Sequence, residues 1–210
     1  MSAALGITEQ TSTVTVEKSA VLNWFEQYID IESGDAATRA GLRRCRSTLD
    51  ALQIPAAIEL ARRLGALKTG AAQHRSDRYL EATLDLARVL AHVKRDNGEQ
   101  PLMRAAGWKK FHADANESDA GEDRPILSGI RFRRMIAGYE NEDLVSSFVR
   151  LVRLLGNEVN VKALAKDFLD CRDDTKRLQL KKRWTMDYFA ANVSQFTEAP
   201  QSPDNSETNQ

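Results

Sequence analysis

The chain has 210 residues, room for one ordinary domain or two small ones, and 42% of them are apolar, so it can bury a core instead of staying unfolded. Thirty Lys and Arg against thirty Asp and Glu give a formal net charge of zero, which at first sight argues against a polyanionic partner. Two cysteines, Cys45 and Cys171, stand far apart in helical stretches, which excludes a disulfide framework or a cysteine zinc site and predicts buried free thiols.

Residues 1–18 are rich in Ser and Thr without a helical stripe and are expected to form a disordered leader. They carry no basic region followed by an apolar one, and nowhere does an apolar run of about 18 residues occur, so the expectation is a soluble, cytoplasmic protein with no membrane partner. From Ser19 the pattern turns helical. Val21, Leu22, Trp24, Phe25, Tyr28 and Ile29 make a strong apolar face that ends before Ser33-Gly34-Asp35, where glycine is expected to take a positive φ and Asp35 to cap the next helix. That helix, about Ala36 to Ala51, carries Arg39, Arg43 and Arg46 on one stripe with Arg44 beside them. Such guanidinium groups repel one another unless an anion lies across them or water solvates the face. Pro55 suits the first turn of a helix running to about Leu64.

His74 to Lys94 reads as a long helix whose stripe (Leu80, Leu84, Ala87, Val93, widened by Leu86, Val89 and Leu90) is broad enough to be buried against several neighbours. Asn97-Gly98 and Pro101 stop it. Little periodicity follows up to Pro125 apart from Trp108 and Phe111, and Trp108 is expected to anchor this acidic segment onto a neighbouring domain. Leu127 to Phe189 then splits into four helix-length pieces. In the first, Arg131 and Arg134 lie one turn apart with Arg133 between them, and Ile130 and Met135 are the expected core contacts. In the second, Leu144, Val145, Phe148, Val149, Val152 and Leu155 form a stripe of period near 3.6, leaving Arg150 and Arg153 on a shared face. In the last, Leu180, Trp184 and Tyr188 recur every fourth residue while Lys176, Arg177, Lys181, Lys182 and Arg183 fill the rest of the circumference; that register favours Trp184 and Tyr188 in the core over a base-stacking role. Beyond Asn192 the chain is polar and Pro-containing, an expected disordered tail. The fold class is therefore all-α: two small helical bundles, 19–96 and 126–191, flanked by the leader 1–18, the acidic connecting segment 97–125 and the tail 192–210.

The neutral total conceals an uneven distribution. Asp114, Glu117, Asp119, Glu122 and Asp123 fall in the connecting segment and Glu198, Asp204 and Glu207 in the tail; setting these eight aside leaves 22 acidic against 30 basic residues, a helical body of about +8. No catalytic constellation accompanies it. His74, His92 and His112 are not at ligand spacing with one another or with a cysteine, and His92 reads as a packing or surface residue. Asp167, Asp170, Asp173 and Asp174 straddle a helix end, where Asp173 or Asp174 suits an N-cap better than a metal. The expectation is a non-enzymatic protein without metal or cofactor. Cations one turn apart can straddle successive phosphates, with affinity from counterion release and little base readout.

The run RFRRMI, the segment FVRLVRLLGNEVNVKALAKDFLD and the closing KKRWTMDYF resemble the small subunit, the CasB family, of Cascade, the type I-E CRISPR surveillance complex. The resemblance spans roughly residues 19–190 and is strongest after Leu127. It implies an all-helical subunit present in two copies beside the other Cascade subunits, helping to hold the guide RNA and the target DNA, including the displaced strand, while base pairing reads the sequence. By position in the matching motifs it directs attention to Arg131, Arg133, Arg134, Arg150, Arg153, Lys176, Arg177, Lys181, Lys182 and Arg183, and more loosely to Arg43, Arg44 and Arg46. The long acidic segment and both tails depart from the family's compact form. A helix-turn-helix regulator and a helical adaptor for acidic protein surfaces are the alternatives.

Overall fold

In the N-terminal half, apolar residues one helical turn apart decide which side of each helix is buried. The computed structural model describes residues 20–67, 73–98, 100–107, 125–137 and 144–190, apart from the side chains of 73–76 and 190. The leader, Trp108 with most of the acidic segment, His112 and the tail lie outside the described residues, as does the side chain of His74. Helix α1 (20–28) buries Val21, Trp24 and Phe25, and the Trp24 indole N–H donates to the Ala56 carbonyl at 2.7 Å. At the turn that follows, Asp35 caps α2 (Ala36–Arg44) as expected, accepting from the Ala37 and Thr38 amides at 3.0 Å each. Gly34 is needed for a different reason from the one expected. Its φ is not positive; a Cβ there would instead lie 2.7 Å from the Asp30 oxygen and the Ile29 nitrogen.

The expected single helix from Ala36 to Ala51 is two helices. The chain breaks at Cys45–Ser47, and α3 (Thr48–Leu52) starts with a capping box in which the Ser47 hydroxyl accepts from the Asp50 amide at 3.1 Å while Asp50 accepts from the Ser47 amide at 3.0 Å. The break takes Arg46 off the arginine stripe and leaves Cys45 half-buried at the α2 C-terminus instead of inside a helix. Cys171 is buried, and both thiols are free. Helix α4 (Pro55–Arg63) follows with Pro55 in its first turn. Helix α5 (Gln73–Leu90) buries Ala82, Leu84, Leu86, Ala87, Val89 and Leu90, and packs against α2, α3 and α4.

After α5 comes a feature with no sequence signal: a two-residue strand β1 (Arg95–Asp96) pairs in parallel with β2 (Glu158–Val159). Its flanks extend the join, with the Lys94 amide donating to Asn157 at 2.8 Å and the Val161 amide to the Asp96 carboxylate at 2.7 Å. The described part of the connecting segment holds a short helix, α6 (Leu102–Ala106), with Leu102, Met103 and Ala106 buried.

The C-terminal stretch forms the four expected helices: α7 (Gly129–Ala137), α8 (Leu144–Leu154), α9 (Val161–Arg172) and α10 (Asp174–Ala190). On α7 the core residue is Phe132, not Ile130, which is 58% exposed; Met135 is partly buried against the core. Phe132 stacks on Tyr188 with ring centroids 3.9 Å apart, and the Tyr188 hydroxyl donates to the Leu127 carbonyl at 2.7 Å, so α10 holds both α7 and the strand of chain entering it. Leu180, Trp184 and Tyr188 are all buried, which gives the two aromatics packing roles. Helix α10 lies against α6 and α9, and α8 and α9 lie against α5, so the helices before and after the connecting segment contribute to one continuous buried cluster.

Candidate nucleic-acid interface

The basic residues sort by what their neighbours leave them free to do. On α10 some are committed within the chain. Arg183 pairs with Asp167 at 2.5 Å and reaches Asp170 at 3.5 Å; Arg177 pairs with Asp174 at 2.7 Å and donates to the Cys171 carbonyl at 3.2 Å; Lys176 lies 3.5 Å from Asp173. Lys181 and Lys182 make no ion pair among the described residues. On α7, Arg131, Arg133 and Arg134 are exposed, and Arg133 bends back to donate to the Gly129 carbonyl at 3.4 Å. On α2, Arg39 donates to the Ile29 and Asp30 carbonyls at 2.9 and 3.0 Å, so it ties the α1 exit to α2 instead of presenting a free charge. Arg44 and Arg46 are exposed and lie outside the cleft described next.

Three of the expected cations do converge. A cleft of about 310 Å³ opens between α2, α5 and α8, lined by Arg43 from α2, by Arg150 and Arg153 from α8, and by Arg88 of α5 and His92 just beyond its end. The apolar side of each helix explains the arrangement: burying Leu42, Phe148 and Val152 in the shared core leaves Arg43, Arg150 and Arg153 at the rim where the helices meet. Arg43 is fixed by its Nε–H donating to the Ala91 carbonyl at 2.6 Å. Arg88 is the most enclosed of the four, its side chain 14% exposed, and it is held by Asp85 at 2.8 Å and by the Cys45 carbonyl at 3.2 Å. Even so its Nε–H is buried without an acceptor, a shortfall of about 1–3 kcal/mol for an ordinary buried donor.

Asp85 is the organising carboxylate behind the cleft. Buried on α5, it accepts from Arg88, from the Thr48 hydroxyl at 2.8 Å and from Arg172 of α9 at 2.5 Å, linking α3, α5 and α9. No carboxylate among the described residues lines the cleft itself. The field there is accordingly positive. Burial, then Arg153, Arg43 and Arg88, push the His92 imidazole down to about 4, so it is neutral near pH 7, and burial followed by Arg39 and Arg153 lowers Arg43. Nothing in the sequence singled out Arg88, and His92 read as a packing or surface residue, because only tertiary packing brings the end of α5 between α2 and α8.

The aspartates near the α9–α10 junction are engaged with the protein. Asp167 accepts from Arg183 and from the Trp184 indole N–H at 2.7 Å, and burial outweighs both in raising its pKa. Asp170 pairs with Lys166, and Asp173 caps α10 by accepting from the Thr175 amide at 3.0 Å. No cluster of three potential ligands forms among the described residues. No described helix is long and apolar enough to cross a membrane.

Fold and cleft together define an all-helical protein that gathers cations from separate helices at one surface. The family model of CRISPR-associated protein Cse2 matches residues 38–189, most of the chain, and the chain belongs to this family, the small subunit (CasB) of type I-E Cascade. Membership assigns it to a structural subunit family of a CRISPR complex and implies association with other Cascade components. Comparison with curated proteins and with solved structures gives no match.

Proposed function

We propose that the chain is a non-catalytic subunit that steadies guide RNA and target DNA, including the displaced strand, within a type I-E Cascade complex in antiviral defence. In this reading it works beside a second copy of itself. The observation that carries it is the convergence of Arg43, Arg88, Arg150 and Arg153 on a cleft that no carboxylate among the described residues lines. Such a site attracts phosphate through charge and counterion release, and it reads no base. The exposed Arg131, Arg133 and Arg134, with Lys181 and Lys182, extend the same chemistry to α7 and α10.

Burial of α9 weighs against a helix-turn-helix reading. Val161, Leu164, Ala165, Phe168 and Cys171 are buried, so the helix that would follow the turn serves the core and is poorly placed to enter a groove. Non-catalytic action is supported by the pairing of Asp167, Asp170 and Asp173 with neighbouring side chains and backbone.

The test is the affinity of a guide-RNA complex, assembled with and without this chain, for a matching DNA duplex at two salt concentrations. Adding the chain should tighten binding in a salt-sensitive way. Arg131→Glu with Arg134→Glu, and separately Arg150→Glu with Arg153→Glu, should leave the chain folded and assembled yet shorten DNA retention, each lost phosphate contact lowering the salt slope by about 0.7–0.9. Unchanged retention in a fully assembled complex would remove those residues from the interface.

A further inference from the structure

We propose that the cleft between α2, α5 and α8 is a socket for one phosphodiester of a nucleic-acid strand, and that seating the phosphate draws a proton from solvent onto His92. The inference rests on the nucleic-acid reading above and adds a specific place and a proton linkage to it. No bond in the strand forms or breaks; neutral imidazole becomes imidazolium.

The size of the site suits the group. A cavity of about 310 Å³ corresponds to roughly ten waters, enough for a phosphate and the sugar atoms on either side. The walls supply donors from three elements. Arg43 comes from α2, Arg88 from α5, and Arg150 and Arg153 from α8; the remaining polar lining groups are Ser146 of α8 and Cys45, whose thiol burial pushes up and keeps neutral. Among the described residues only Arg88 of these arginines has an acidic partner, Asp85, which it shares with Arg172 and Thr48. Fork-shaped guanidinium groups match phosphate oxygens in a way that a point charge cannot.

His92 sits among these arginines, half-buried, its ring without a hydrogen-bond partner among the described residues. Burial and three of the arginines keep the ring neutral, holding its pKa down to about 4. A phosphate lodged between the same guanidinium groups cancels the field they exert and offers the ring an acceptor. The imidazole then moves back toward its ordinary value of about 6.5. Because the bound state holds the proton more tightly than the free state, affinity must rise as pH falls from the ordinary histidine range toward about 4.

The experiment uses the full chain and single-stranded oligothymidylate, whose diester groups and bases do not titrate between about pH 5 and 8. Binding should be at least about tenfold tighter at pH 5 than at pH 8, which a His92 midpoint rising from about 4 to about 6 supplies. His92→Gln should cut that ratio by about tenfold, whatever its absolute affinity. Independently of any variant, the NMR titration midpoint of the His92 ring in the native chain should rise by about two units when oligothymidylate saturates it. A midpoint that does not move, or a pH ratio that survives His92→Gln in a folded protein, overturns the socket while leaving the nucleic-acid reading intact. Failure of the oligonucleotide to bind at any pH overturns both.

Discussion

Replacing Asp85 with Ala should destabilise the protein more than any other change of similar size near the cleft. The carboxylate is 6% exposed and serves two guanidinium groups and a hydroxyl on three helices. Stripping one partner from a buried ion pair leaves the other charge uncompensated and costs about 3–5 kcal/mol. Arg172 is 41% exposed, so water recovers much of its share, whereas Arg88 at 14% stays enclosed. The expected loss is therefore at the lower end, about 3 kcal/mol. In a chain of this size that lowers Tm by about 6–12 °C, at 2–4 °C per kcal/mol. Denaturant unfolding followed by circular dichroism measures it, with Asp85→Ala/Arg88→Met as the informative partner, since removing the stranded cation should recover part of the loss. A loss below about 1 kcal/mol, or no recovery in the double variant, would refute the argument that Asp85 neutralises Arg88 in a dry setting.

Two further outcomes follow from single positions. Gly107→Ala should destabilise by about 1–3 kcal/mol in the same unfolding assay, because the new Cβ would meet the Tyr188 carbonyl oxygen at 2.3 Å and the Met103 oxygen at 2.9 Å, both backbone atoms that cannot swing aside. Its φ of −82° suits alanine, so a neutral result would show that α6 can shift away from α10 at little cost. Glu59 accepts from Arg62 and Arg63, and hydrogen bonds from these two lower its pKa to about 2. The folded value lies below the unfolded one, so whatever these pairs contribute is present above about pH 4.5 and fades as pH falls toward 2; a carboxyl NMR titration with an ordinary midpoint for Glu59 would exclude the pairing.

Helix positions were legible wherever the apolar period ran unbroken. The α8 stripe and the Leu180, Trp184, Tyr188 register of α10 survive in the structure because burial follows periodicity directly. Asp35 and Pro55 marked helix starts for local reasons that tertiary context did not override. The break between α2 and α3 had a signal, Ser47 with Asp50 three residues on, but the arginine period running through it outweighed a cap in which aspartate replaces the usual Glu or Gln. Ile130 was misassigned because arginines surround Phe132 on both sides, which left two apolar candidates for one core position. The β1–β2 pairing and the entry of Arg88 and His92 into the cleft had no local signature: both depend on residues about sixty positions apart meeting in the fold.

The separation of committed from converging cations bears directly on function. Arg39, Arg88, Arg172, Arg177 and Arg183 tie helix to helix or helix to loop through carbonyls and carboxylates, and their charges are accounted for by stability alone. Scattered surface cations need no special account, because water solvates them at little cost. Arg43, Arg150 and Arg153 are exposed as well, and Arg43 donates to the Ala91 carbonyl, but their placement sets them apart. They come from two helices to one concave surface, close enough for Arg153 to lower both Arg43 and His92, and no acid among the described residues stands among them. A concave gathering of like charges from separate helices suits an anion from outside, and under the function proposed above that anion is a phosphate backbone.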